Sequence, residues 1–152
     1  MSSPTAHCDG YRAAAAARTA DLAGLGIDAE PHAPVSPAVR DGITSPSEHA
    51  RLDRLHAVRP GIHWDRLLFS AKRSAYKACS SSAPRVLHFE DAGITFSPGT
   101  GTFAAHLAGE AFVLTGRRHV CDGILLTATA FPADPPPGQT ITSAASRSAT
   151  VS

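Results

Sequence analysis

The chain has 152 residues, 43% of them hydrophobic and 18% charged, which suits one soluble globular domain with a core large enough to fold and leaves little room for two. Lys and Arg number 14 against 13 Asp and Glu, a net charge of +1, so no global field favours nucleic acid or an anionic membrane, and any phosphate binding must be local. No apolar run approaches the roughly 18 to 20 residues that span a bilayer, and Met1-Ser2-Ser3-Pro4 lacks the start of a signal peptide, so the cytoplasm is the expected location.

Tyr11-Arg12-Ala13-Ala14-Ala15-Ala16-Ala17 has high helix propensity, yet a strand is expected there. Leu25 to Glu30 reads as a short strand halted by Pro31 and Pro34, and Gly24 and Gly26 permit a hairpin bend that makes Tyr11–Ala17 its antiparallel partner. Ser45-Pro46-Ser47-Glu48 is a capping box with proline at the first helical position, so a helix starts there, with Leu52, Leu55 and Val58 facing the core and Pro60-Gly61 ending it. A second helix is expected over about Trp64 to Cys79, where Leu68, Ala71 and Ala75 share one face and Arg66, Ser70, Arg73 and Lys77 another.

Beyond Ser80-Ser81-Ser82-Ala83-Pro84 the pattern changes. Val86–Phe89, Gly93–Phe96 and Gly101–Ala104 read as antiparallel strands, and Ala111–Val120 and Ile124–Phe131 flank Asp122-Gly123, the strongest hairpin signal in the chain. From Pro132 onward Pro, Gly, Ser, Thr and Ala predominate, and a disordered tail is expected. Cys8, Cys79 and Cys121 are odd in number and scattered, suggesting neither disulfide nor zinc site.

Two constellations bear on chemistry. Asp28 and Glu30 stand two apart on a strand, so both carboxylates share a face and invite a magnesium ion, which takes oxygen ligands and keeps several waters. The competing reading is a solvated strand end. Trp64-Asp65-Arg66-Leu67-Leu68-Phe69-Ser70-Ala71-Lys72-Arg73-Ser74-Ala75-Tyr76-Lys77 carries a basic stripe that, taken alone, is usually a wet face. No Gly-x-Ser-x-Gly elbow, lysine-bearing phosphate loop or H-E-x-x-H spacing occurs, which disfavours a serine hydrolase, a P-loop nucleotide site and a zinc enzyme.

That helix segment resembles the signature helix of phosphopantetheinyl transferases of the surfactin/enterobactin type, and Gly26-Ile27-Asp28-Ala29-Glu30 resembles their Gly-(Ile/Val)-Asp-x-Glu strand, in the same order. The resemblance extends from His7-Cys8-Asp9-Gly10-Tyr11-Arg12 through Phe89-Glu90-Asp91-Ala92 to Asp122–Ala128. It implies an α+β fold in which one antiparallel sheet subdomain packs with two helices. Residues 1–24 are then the remnant of a first subdomain, 25–132 the C-terminal subdomain and 133–152 the tail.

It implies a transferase that moves the 4'-phosphopantetheine arm of coenzyme A to a serine of an acyl or peptidyl carrier protein. By the same resemblance Asp28 and Glu30 hold magnesium (Mg2+), Lys72 and Lys77 contact coenzyme A phosphate with Lys77 also catalytic, and His7 contacts the nucleotide phosphate. A surface lysine for Lys72 and a half-buried strand-end histidine for His7 remain alternatives.

Two departures stand out. Arg73 occupies the position where the family has a glutamate, and a guanidinium neither ligates a cation nor accepts a proton, so it is expected to pair with Asp28 and Glu30. The chain also begins almost at the His7 strand, so a homo-oligomer or a separately encoded first subdomain is expected to complete the cleft. The alternatives are an inactive module binding coenzyme A or a carrier protein, or half of a split or decayed transferase.

Overall fold

A computed structural model describes residues 4–8, 10–80 and 88–133. Its centre is a five-stranded antiparallel sheet in the order β3-β7-β6-β5-β4, built from β3 (Leu22–Pro31), β4 (Ala92–Ser97), β5 (Thr102–Leu107), β6 (Val113–Cys121) and β7 (Ile124–Pro132). β6 and β7 are joined through Asp122 and Gly123, both at positive φ (52° and 74°), which is the two-residue turn that matches strand twist.

The long helix α3 (Trp64–Ser80) lies across one face of this sheet. Its Leu67, Leu68, Ala71 and Ala75 pack with Phe103, Ala105, Leu114, Leu125 and Phe131, forming the main core. Small residues at 71, 74, 75 and 78 keep that face flat enough for the strands to come close. The approach is tightest at Gly26, where a Cβ would run into the backbone carbonyl of Ser74 and the amide of Ala78. Deeper in the same contact, Ser70 and Ser74 hydrogen-bond Thr127 and Thr129 of β7, both at 2.8 Å, so these buried hydroxyls are satisfied across the layer.

The opposite face of β3 and β7 is covered by a hairpin of β1 (Thr5–Cys8) and β2 (Tyr11–Ala14). Its Ala6 packs on Ile27 and Ala29, with Leu126 and Ala128 alongside. Tyr11–Ala14 is therefore a strand, as expected, but its partner is β1 and not the Leu25 strand. Gly24 and Gly26 lie inside a ten-residue β3 paired to β7, because the glycines serve close packing and a register shift near Gly24 instead of a bend.

Among the described residues there are three α-helices, not two. The additional one, α1 (Pro37–Ile43), is capped by the Ser36 side chain on the Val39 amide, with proline at its start. At seven residues it is too short to show an apolar period. α2 (Pro46–Val58) starts with the expected capping box between Ser45 and Glu48. Its Val58, assigned to the core stripe, is 69% exposed, whereas Leu52 is buried and Leu55 packs against the core. Ser70, assigned to the basic face of α3, is buried against β7. Of the strand expected at 86–89, residues 86 and 87 lie outside the described residues, and Phe89 opens a 3-10 turn (Phe89–Asp91) instead. The tail from residue 134 also lies outside them. No helix among the described residues is long and apolar enough to cross a membrane.

Gly26→Ala is expected to force β3 and α3 apart and to lower stability by about 1 to 3 kcal/mol or more, the range for overpacked cores. Chemical denaturation checks this, and an unchanged midpoint would contradict the close approach.

Candidate functional site

Because side chains alternate along β3, the contact at Gly26 sets Asp28 and Glu30 on the same sheet face as Gly26, under α3. Helical spacing places Arg66, Arg73 and Lys77 over that strand. The result is two carboxylates under three cations. The Asp28 side chain is only 3% exposed. Its Oδ1 lies 3.2 Å from Arg73 Nε and accepts from Lys77 Nζ at 3.2 Å, while its Oδ2 is buried with no hydrogen-bond partner. Glu30 Oε2 accepts from Arg66 Nη1 at 3.3 Å, and Oε1 lies 3.8 Å from Arg73 Nη1. The pairing expected of Arg73 is present.

Each cation is held differently. Arg66 also donates to the carbonyls of Ala33 and Pro34, tying down the loop after β3. Lys77 Nζ donates to the carbonyls of Thr5 and Ile27 as well as to Asp28, which joins β1 to β3 under the end of α3. Arg73 is the open member: its side chain is 45% exposed, and its guanidinium rests over the Phe69 ring at 5.5 Å.

Lys72 lies elsewhere in the structure's logic. Its side chain is 2% exposed, and its ammonium gives all three protons to protein acceptors: Glu48 Oε2 at 3.0 Å, the Ile43 carbonyl at 2.7 Å and the Phe89 carbonyl at 2.9 Å. It is not a surface lysine, because α1, α2 and the 3-10 turn close over it. Glu48 in turn accepts the Ser45 amide and the Ile94 amide. His7 is exposed on the outer face of β1, across from Arg12 in the hairpin register.

A groove of about 410 Å³ opens beside the cluster, lined by Phe69, Arg73, Tyr76, Lys77, His88 and Phe89 among others. Phe69 and Phe89 stack at 5.4 Å. The sequence reading assigned no role to Phe69, Tyr76 or His88. Phe69, Arg73 and Tyr76 do stand at i, i+4 and i+7, a spacing that puts them on one face of α3.

The carboxylate pair fits a magnesium ion poorly. Magnesium asks for octahedral oxygen donors at about 2.0 to 2.1 Å. Here Asp28 Oδ1 is already shared by two cations, and among the described residues no group of three His, Cys, Asp or Glu could hold a metal. A dication at Asp28 would stand within about 5 Å of Arg73 and Lys77, where Coulomb repulsion is several kcal/mol per cation at an effective dielectric near 20. The unpartnered Asp28 Oδ2 is one oxygen, not a coordination shell.

Two expected outcomes follow from these contacts. Burial, then the neighbouring Asp28 carboxylate, push the Glu30 carboxyl above its ordinary range against the pull of Arg73 and Arg66. The unfolded carboxyl ionises at lower pH than the folded one, so this group's contribution to stability declines as pH rises through that window and the penalty vanishes in acid below both values. NMR titration of the Glu30 carboxyl should give a midpoint above the usual glutamate value, and Arg66→Met should raise it further. Lys72→Met strands the buried Glu48 carboxylate and should cost about 3 to 5 kcal/mol in urea denaturation, with part recovered in Lys72→Met/Glu48→Met.

Comparison with known proteins bears on this geometry. The model of the 4'-phosphopantetheinyl transferase superfamily matches residues 24–123, which include the acidic strand, all of α3 and the β6–β7 turn. The chain is 48% identical over 112 residues to the 4'-phosphopantetheinyl transferase Svp of Streptomyces mobaraensis, covering 74% of this chain and 46% of that relative. It is 40% identical over 141 residues to the transferase Npt of Nocardia iowensis, covering 82% and 62% of the two chains. It is also 40% identical over 134 residues to the transferase PptT of Mycobacterium tuberculosis, covering 80% and 58%. The chain thus spans roughly half the length of the curated relatives it matches. On the strength of that match and of the strand and helix that build the site, it belongs to the 4'-phosphopantetheinyl transferase superfamily.

Proposed function

We propose that this chain supplies the acidic strand and basic helix of a phosphopantetheinyl transferase that moves the 4'-phosphopantetheine arm of coenzyme A to a serine of an acyl or peptidyl carrier protein. The observation that carries this reading is the cluster of Asp28, Arg73 and Lys77 at the mouth of the groove lined by Phe69, Tyr76, His88 and Phe89. The serine hydroxyl oxygen forms a bond to the phosphorus that bears the pantetheine arm. The bond from that phosphorus to the bridging oxygen breaks, the nucleotide bisphosphate leaves, and the serine proton passes to solvent or to the leaving phosphate. Charge builds on the phosphoryl oxygens during this step, and fixed cations stabilise it without reorganising. Arg73 and Lys77 are the residues for that work, and His7 with Arg12 on the β1–β2 hairpin is the basic pair available to a terminal nucleotide phosphate.

In this reading residues 1–24 lead from a first subdomain and residues 25–132 form the second. Lys72 acts by holding α3 in place. Magnesium is left out of the step, because the carboxylates that would ligate it are already paired.

A second reading is favoured by one observation: with Arg73 at this position, the described cluster holds no free carboxylate to take the serine proton. On that reading the chain binds coenzyme A without turnover. Intact-mass spectrometry of an apo carrier protein incubated with the chain and coenzyme A separates the two. A gain of one phosphopantetheine supports transfer, and coenzyme A binding in calorimetry with no mass gain supports the binding module. Absence of both would overturn the proposal.

A further inference from the structure

Between Asp28 and Glu30, the space a bridging ion would take is filled by a side chain. Arg73 places Nε at 3.2 Å from Asp28 and Nη1 at 3.8 Å from Glu30, so a single planar cation spans both carboxylates. Lys77 adds a second charge on the same Asp28 oxygen, and Arg66 covers the remaining oxygen of Glu30. Three cations over two carboxylates leave one positive charge in excess. That excess has an outlet: Arg73 is the most exposed of the three, is propped from beneath by Phe69, and lines the groove together with Lys77. A guanidinium held this way offers parallel N–H groups to phosphate oxygens, the geometry that makes arginine a phosphate binder.

We infer that Arg73 converts this site into a metal-free diphosphate site: the side chain serves as a built-in cation that closes the Asp28–Glu30 pair to divalent ions and receives the diphosphate of the ligand directly. With coenzyme A as that ligand the inference rests on the proposed function; the exclusion of metal and the binding of a bare diphosphate do not.

The test uses the full chain with two probes, Mn2+ followed by electron paramagnetic resonance and inorganic pyrophosphate followed by calorimetry. The expected result is that Arg73→Glu binds Mn2+ at least about tenfold more tightly than wild type, with Arg73→Ala in between, as carboxylate oxygens become available. Both substitutions fall on the open side of α3, and Arg73→Ala decides the matter if the added acid destabilises the fold. Pyrophosphate should bind wild type with an affinity that changes less than about threefold on adding EDTA, and Arg73→Ala should weaken it about tenfold or more. Mn2+ binding to wild type as tight as to either variant, loss of pyrophosphate binding in EDTA, or no pyrophosphate binding at all would each overturn the inference. Pyrophosphate binding without any uptake of coenzyme A would leave this inference standing and sink the proposed function instead.

Discussion

The ammonium of Lys72 and the carboxylate of Glu48 meet at 3.0 Å in the interior, at the point where α1, α2, α3, the 3-10 turn and β4 converge. Burying two charges costs several kcal/mol per ion unless every remaining donor and acceptor is met. Here the condition is satisfied: the ammonium protons reach Glu48, Ile43 and Phe89, and the carboxylate also receives the amides of Ser45 and Ile94. The pair ties α1, α2, α3, the 3-10 turn and β4 to one another at a single buried point. Arg73 follows Lys72 directly in α3, about 100° around the helix, so anchoring one inward sets the direction of the other.

A second constraint acts from the strand side. Gly26 lets β3 run against the backbone of α3, and alternation along the strand then sets Asp28 and Glu30 beneath the basic residues at a separation that side chains can bridge. The two constraints together make a site in which charge is fixed in place before any ligand arrives. In a site organised around a soluble dication, part of the positive charge arrives with the ion. In this one it is covalently part of the helix and stays in the cleft whatever the ion supply.

Much of this was legible in the residues alone. The capping box at Ser45, the Asp122-Gly123 turn, the long α3 and the shared face of Asp28 and Glu30 all rest on short-range rules, and the structure contains each of them. The pairing of Arg73 with both acids was also legible, because opposite charges on a strand and on the helix packed against it have few better partners. What misled were three readings made from local sequence alone. Gly24 and Gly26 read locally as a bend, yet they serve packing; Val58 fits an apolar stripe, yet the helix end carries it into solvent; Ser70 reads as polar surface, yet Thr127 and Thr129 on β7 give that side of α3 a hydrogen-bonding floor.

Lys72 and Lys77 mark the limit most clearly. Both are lysines on one helix, and nothing in their local sequence distinguishes their tasks. Their five-residue separation turns them about 140° apart around the axis, so one points to the α2 side and the other to β3 and β1. The sequence by itself determined the family, the acidic strand, the long helix α3 and the residue types that meet at the site. Only the tertiary structure decided that Lys72 is a buried strut tied to Glu48, that Lys77 clasps β1 to β3, and that Arg73 is the most exposed of the three cations over the acidic pair. The reason is physical: what an ammonium or guanidinium does depends on which acceptors lie within about 3 Å, and those acceptors come from segments distant in the chain.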